Sequence, residues 1–577
     1  MRTALALLLL TTPAFAQETA DSVAPEGATG FVPDAPAPVT SQNWMVAAAN
    51  PLASEAGARV LREGGSAADA MVAVQAVLGL VEPQSSGLGG GAFLVYYDAA
   101  TGEITTLDGR ETAPATATPT MFQTPDGEPM AFFDAVVGGL SVGTPGTPML
   151  MEEAHRRWGS ANWGSLFDDA IAHAEDGFPV SLRLSMLVTE DQERLSVAPA
   201  TAAYFLPNGQ PLQKGEILRN QAYADTLRAF AEHGSDAFYS GEVAEGIVAT
   251  VRGAAQPGRL TMDDLEDYRV IERDAVCAPY RGADICGMGP PSSGALTVGQ
   301  ILSLIEPYDI AALGPDSPEA WRLIGDASRL AFADRGRYMA DSDFVPMPRL
   351  LDEAYLAERS QLLAGDDALP EVAPGSPPWD HAALDLADDI SLELPSTSHI
   401  SIVDADGNAL SMTTTIENGF GSRLFTPGGF LLNNELTDFS FRTHTDGVPI
   451  ANRIEPRKRP RSSMSPTIVM QDGAPSMVIG SPGGSRIIGY VAKTIIAQMD
   501  WGMDPQQAVA LPHLVNRFGT YDLEEGTAAE AFAEPLTALG YETNIRALTS
   551  GLHVIAIDGD TLIGGADPRR EGVAIGE

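Results

Sequence analysis

Hydrophobic and polar positions follow two different periods along the chain, and the change of period divides it. Asn50-Pro51 sets a cap and a first-turn proline ahead of apolar residues at helical spacing, and Gly64-Gly65 closes them. Ser66 and Asp69 restart a helix as a capping-box-like pair, with an apolar face running to about Leu80. The Gly-rich SSGLGGG leads into FLVYYDAATGEITTLDGR, two strand-like runs around a turn. Helical patterns dominate from about Pro148 to Leu363, interrupted by a hairpin in which Cys277 and Cys286 flank APYRGADI. From Thr397 onward the period is mostly two. SHISIVDADGNALSMTTTI, GFLLNNE, PTIVMQDGAPSMVIGSPGG and LHVIAIDGDTLIGGA read as strands, with Asp-Gly in three of the turns. One amphipathic helix, from Arg486 to about Met499, follows SPGG, and no internal repeat is evident.

Residues 365–396 fit neither period. They hold eight acids, four prolines before the final Pro395 and no Lys or Arg, and read as a solvated, mobile linker. Such a linker leaves the bond ahead of Thr397 accessible. If that bond is cut, Thr397 becomes an N-terminus carrying a hydroxyl nucleophile and an α-amino base together. The plainer reading is an ordinary β-forming threonine at the start of a strand.

The composition, 44% apolar and 19% charged over 577 residues, is that of a globular protein. The length allows several domains or one large layered one. Lys plus Arg number 35 against 77 Asp plus Glu, so the net charge is −42, which argues against nucleic acid and anionic membranes as partners. Lysine occurs only at positions 214, 458 and 493, so arginine must hold whatever carboxylates need holding. The start, MRTALALLLLTTPAFAQ, reads as an export signal over 1–16 with an Ala-x-Ala cleavage site, followed by a flexible leader over 17–42. A soluble periplasmic or secreted bacterial enzyme is expected, and its compartment permits a Cys277–Cys286 disulfide. The histidines and cysteines show no metal-binding spacing, so neither a metal nor another cofactor is expected.

Several polar groups sit where strand chemistry does not require them. Arg110 ends a strand in LDGRETAP. Thr415 and Glu417 share a strand face in TTTIE. Glu435 and Asp438 close NNELTDFS, Ser462 and Ser463 fall in RPRSSMSP, and Gly483 and Gly484 precede a helix in GSPGGSR. Singly each is weak. Together with NPLASEAGARVLREGGSAADA, EPQSSGLGGGAF, GTPG, GPPSSGAL and STSHISIVDADGNA, they resemble the γ-glutamyltranspeptidase family of N-terminal-nucleophile hydrolases, from about Trp44 to the last hairpin.

The resemblance implies an α/β (α+β) fold, a four-layer αββα sandwich. It implies one precursor that cuts itself between Ser396 and Thr397 into a large subunit, 43–396 after its leader, and a small one, 397–577. Thr397 would attack the γ-carbonyl of glutathione or a related γ-glutamyl amide, with Thr415 positioning it. Arg110, Ser462 and Ser463 would hold the substrate α-carboxylate, and Glu417, Glu435 and Asp438 its ammonium. Gly483 and Gly484 would form the oxyanion hole, and water or an amino acid or peptide would accept the acyl group. A zwitterionic head calls for an arginine on one side and carboxylates on the other, and glycine N–H groups at a helix start suit an oxyanion.

Three positions depart from the pattern: Glu417, which is asparagine in some bacterial members; Ser398, where threonine is frequent; and 441–459, shorter than the lid loop of some members. Three rivals stay open. Gly139-Leu140-Ser141-Val142-Gly143 fits the G-x-S-x-G of a serine hydrolase, although Pro145 follows closely. A solute-binding protein could grip glutamate with the same groups. An acylase of the same fold could remove a glutaryl group from β-lactam amines.

Overall fold

The computed structural model describes residues 36–391, 393–394 and 396–577, and the expected export signal lies outside them. Alternation along the strands builds the fold. In Met45–Ala48, Met45 and Ala47 face one side of the sheet and Val46 and Ala48 the other. The first antiparallel sheet runs in the spatial order Val573–Gly576, Met45–Ala48, Ser398–Val403, Ala409–Thr415, Gly91–Asp98, Glu103–Gly109, Ile271–Arg273. The second runs Val39–Ser41, Thr561–Ala566, His553–Asp558, Ala474–Gly480, Thr467–Gln471, Ala283–Gly287, Val276–Tyr280.

Met45, Ala47, Val95, Val403, Ile468, Val478 and Ile555 fill the space between the sheets. Helices Pro51–Arg62, Ala67–Val81 and Thr147–Trp158 cover the outer face of the first sheet. Helices Gly294–Ile305, Pro318–Tyr338 and Ile487–Met499 cover that of the second. The result is the expected αββα sandwich. The caps read from the sequence are present: Asn50 Oδ1 accepts from Leu52 N at 3.0 Å, and Ser66 and Asp69 form a reciprocal capping box. Cys277 and Cys286 face each other in register and are disulfide-bonded.

Three expectations need correction. The leader read over 17–42 ends in structure, because Val39–Ser41 pairs with Ser41↔Leu562 to Val39↔Gly564 as an edge strand. GFLLNNE is not a strand: Leu431 and Leu432 make only isolated bridges, to Phe425 and Gly89. Asn433 takes over the backbone bonding there, donating to Gly89 O at 2.7 Å and accepting from Gly143 N at 2.9 Å. Among its described residues the linker 365–396 has no regular strand or helix, but it is not solvated along its length. Asp388 pairs with Arg337 at 2.7 Å, Asp389 with Arg461 at 3.0 Å, and Glu393 with Arg335. Three of its acids are docked on arginines, which composition alone does not reveal.

Candidate active site

The strand that follows Thr397, Ser398–Val403, places the candidate groups. Residues 397, 399, 401 and 403 share the face turned toward the second sheet, and Ser398 pairs with Thr414, so Thr397 and Thr415 meet at the open end of the inter-sheet space. Their hydroxyl oxygens lie 3.4 Å apart. The Thr397 hydroxyl donates to the carbonyl oxygen of Ser396, and Thr415 Oγ1 donates to the same oxygen at 3.3 Å. Glu417 N donates to Thr415 Oγ1 at 2.9 Å, which leaves the Thr415 proton for that carbonyl. Around the bond, Ser396 Oγ donates to Gln84 O at 2.8 Å, Arg570 Nη1 donates to Thr397 O at 2.9 Å, and Ser398 Oγ donates to Glu82 Oε2 at 3.2 Å. The Ser396–Thr397 peptide is therefore held on both sides.

Arg110, Thr397, Thr415, Glu417, Glu435, Asp438, Ser462, Ser463 and Gly484 line one cleft with Ser396, and Gly483 adjoins it through Gly484. The linker residues Glu393 and Leu394 line this cleft as well. Gly483 has φ +138° and Gly484 φ +59°, left-handed values that open the loop before the helix. A Cβ at Gly484 would come within 2.9 Å of Glu393 O and of Leu394 O, so the linker backbone passes directly over it.

Arg110 is 1% exposed and already engaged. It pairs with Glu435, with Asp438 at 2.6 Å, and donates to Pro460 O at 3.2 Å and Arg461 O at 2.9 Å. Glu417 has φ +73°, rare for a residue with a side chain. Its carboxylate accepts from Asn434 and from Leu394 N at 3.3 Å. Burial pushes the carboxyls of Glu417, Glu435 and Asp438 well up, and neighbouring carboxylates add to it. Burial also carries Glu111 up to about 8, against the pull of Arg110. The cleft thus concentrates acid around one arginine, a setting that favours a cationic ligand group.

Two residues outside every motif complete the site. Glu393 touches Ser463 and Arg335, and Arg335 Nη2 donates to Ser463 Oγ at 2.7 Å. Burial raises the Glu393 carboxyl, but Arg335 and Arg461 overcome this and hold it at about 2. Arg335 lies in RLAFADRGRY, where it looks like any other polar helix position, so no sequence signal isolates it. Glu393 is legible only as the last acid before Thr397. Ser141 of the G-x-S-x-G match is fully buried and donates to Val136 O at 2.7 Å, which removes it as an exposed elbow nucleophile.

The family model for γ-glutamyltranspeptidase matches residues 53–577. The chain belongs to the γ-glutamyltranspeptidase family. It is 38% identical over 549 residues to a glutathione hydrolase proenzyme of Bacillus subtilis, covering 93% of this chain and 92% of that one. Among solved structures, cephalosporin acylase from Bacillus halodurans superposes with a TM-score of 0.82 at 26% identity, covering 95% of this chain and 98% of that one. Helicobacter pylori γ-glutamyltranspeptidase superposes at 0.55 with 36% identity, covering 56% of this chain and 94% of that one. No described helix is long and apolar enough to cross a membrane, and no described cluster of His, Cys, Asp and Glu could hold a metal ion.

Proposed function

We propose that this chain is the precursor of a γ-glutamyl hydrolase and transpeptidase acting on glutathione and related γ-glutamyl amides. The observation that carries the reading is the Thr397 hydroxyl on the carbonyl of its own preceding residue, with Thr415 donating to the same oxygen. Attack by Thr397 Oγ1 on the Ser396 carbonyl carbon moves the acyl group from nitrogen to oxygen and frees the Thr397 amine. Water then opens the ester, giving a large subunit that ends at Ser396 and a small one that begins at Thr397.

In turnover the same hydroxyl attacks the substrate γ-carbonyl, and the freed α-amine takes its proton and passes it to the leaving amine. Gly483 and Gly484 N–H groups stabilise the oxyanion, a contribution of about 2.7–4 kcal/mol per donor. Arg110, Ser462 and Ser463 hold the α-carboxylate. Glu417, Glu435 and Asp438 receive the ammonium. Water or the amine of an amino acid or peptide then releases the acyl group. The first sixteen residues direct export, and the enzyme works in the periplasm or outside the cell.

The similarity to a cephalosporin acylase supports a second reading, glutaryl removal. The two substrates differ by the α-ammonium. With a glutaryl group, the three carboxylates would face a methylene, and leaving a buried charge unpaired costs ~2–5 kcal/mol. γ-Glutamyl anilide should therefore exceed glutaryl anilide by at least ~30-fold in kcat/KM on one cleaved preparation. Equal or reversed values would favour the acylase.

A further inference from the structure

An oxyanion turn works only if its N–H groups are held still. Gly483 and Gly484 have no side chains to anchor them and left-handed φ values, so neighbouring atoms set their place. Two contacts do this. The Tyr490 ring lies against Gly483, where an added Cβ would come 2.8 Å from Tyr490 Cε2. Gly551 lies against Pro482, the residue before the two glycines, and a Cβ at 551 would come 2.7 Å from Pro482 Cγ.

One buried polar chain ties these contacts together. His513 is fully buried, and its ring packs on that of Tyr490 with centroids 4.1 Å apart. Its Nε2 lies 2.7 Å from Ser550 Oγ and its Nδ1 3.2 Å from Lys493 Nζ. Ser550 Oγ donates to Asp567, so it accepts from His513 Nε2, which leaves Nδ1 to accept from Lys493. Burial, with the charges of Arg569 and Lys493 close by, holds the imidazole neutral, and a neutral ring has the one donor and one acceptor these partners require. Asp567 is anchored by Arg569 Nη1 at 3.0 Å and accepts from Leu552 N at 3.2 Å. Lys493 Nζ donates to Leu511 O at 2.7 Å. The chain Lys493–His513–Ser550–Asp567 thus fixes both the Tyr490 ring and the backbone at 550–552, and each of these touches the turn. The Tyr490 hydroxyl is buried with no hydrogen-bond partner among the described residues, so the ring acts by packing.

We propose that His513 is a positioning residue for the oxyanion turn: it holds Tyr490 on Gly483 and, through Ser550, keeps Gly551 on Pro482, so that the two N–H groups are already aimed when charge develops on the γ-carbonyl oxygen. This rests on the γ-glutamyl reading above and on its oxyanion turn. Those donors act on the transition state more than on bound substrate, so loosening the turn falls on kcat and spares KM.

The test uses cleaved enzyme and three ligands: γ-glutamyl anilide as substrate, glutamate as a ground-state ligand, and a glutamate analogue with a boronic acid at the γ-position, which mimics the tetrahedral oxyanion. Tyr490→Leu and His513→Leu should each lower kcat by about 10- to 100-fold, the scale of a misaimed oxyanion donor. KM should change by less than about threefold. Ki for the boronate should rise by the same factor as kcat falls, and Ki for glutamate by less than about threefold. Tyr490→Phe, which keeps the ring, should recover most of what Tyr490→Leu loses. His513→Gln, which can still accept from Lys493 and donate to Ser550, should recover part of the His513→Leu loss. Equal weakening of glutamate and boronate would mean general distortion of the site, and an unchanged kcat in both leucine variants would mean no role; both overturn the proposal. If the wild type neither cleaves the anilide nor binds the boronate, the γ-glutamyl reading has failed instead. If the leucine variants do not mature, hydrogen exchange in a Thr397→Ala background decides. His513→Leu should then speed exchange of the amides at 483–485 by at least ~10-fold, and unchanged exchange overturns the assignment.

Discussion

At the scale of single residues the cleft is a problem in charge. Glu111, Glu417, Glu435 and Asp438 crowd around Arg110, and burial raises all four carboxyls. Glu111 carries the cleanest consequence. Its folded value, about 8, lies above the ordinary 4.5, so the folded chain binds this proton more tightly than the unfolded chain does. The stability it contributes is complete below about pH 4.5 and is lost as pH rises through 8. In a Thr397→Ala background, which keeps one covalent species, Glu111→Gln should leave Tm unchanged at pH 5 and raise it at pH 9. Differential scanning fluorimetry across that range checks this, and parallel curves for the two proteins would contradict it. Arg110, Glu435 and Asp438 are legible as candidate residues because each ends an element in a distinctive string. Their mutual pairing is not, because a sequence does not show which acid an arginine chooses.

At the scale of elements, two loops and a linker make the site. The Gly483-Gly484 turn has the positive φ values that a residue with a side chain adopts at a cost of about 1–3 kcal/mol. A side chain at 484 would also meet the linker backbone at Glu393 and Leu394. Gly484→Val should therefore slow appearance of the Thr397 N-terminus by at least ~10-fold. Timed gels of freshly folded precursor measure this, and a wild-type rate would release the turn from the cleavage site. The strands from Thr397 onward and the paired helices near the N-terminus are readable because period and caps are local signals. The linker defeats such a reading because its partners are remote. Eight acids without a base imply solvation when partners are unknown, yet Arg335, Arg337 and Arg461, distant in sequence, neutralise three of them. Asn433 and Asn434 likewise turn an apolar run away from strand pairing by bonding to Gly89 and Glu417.

At the scale of the molecule, the sandwich brings the segments before and after Thr397 into one core. Strand Met45–Ala48 pairs with Ser398–Val403, and Gly91–Asp98 pairs with Ala409–Thr415. Cutting at Ser396–Thr397 leaves both pairings intact, so the fragments should stay together. The net charge is −42, and fully buried arginines such as Arg110, Arg183 and Arg569 are bound to carboxylates inside. On the proposed function the chain cuts itself with the hydroxyl of Thr397. Intact mass and N-terminal sequencing of purified wild type and Thr397→Ala test it most directly. Wild type should give two co-purifying chains, the smaller beginning Thr397-Ser398-His399, and the variant a single chain ending at Glu577. A wild type that stays whole, or a variant cut at the same bond, would contradict the account.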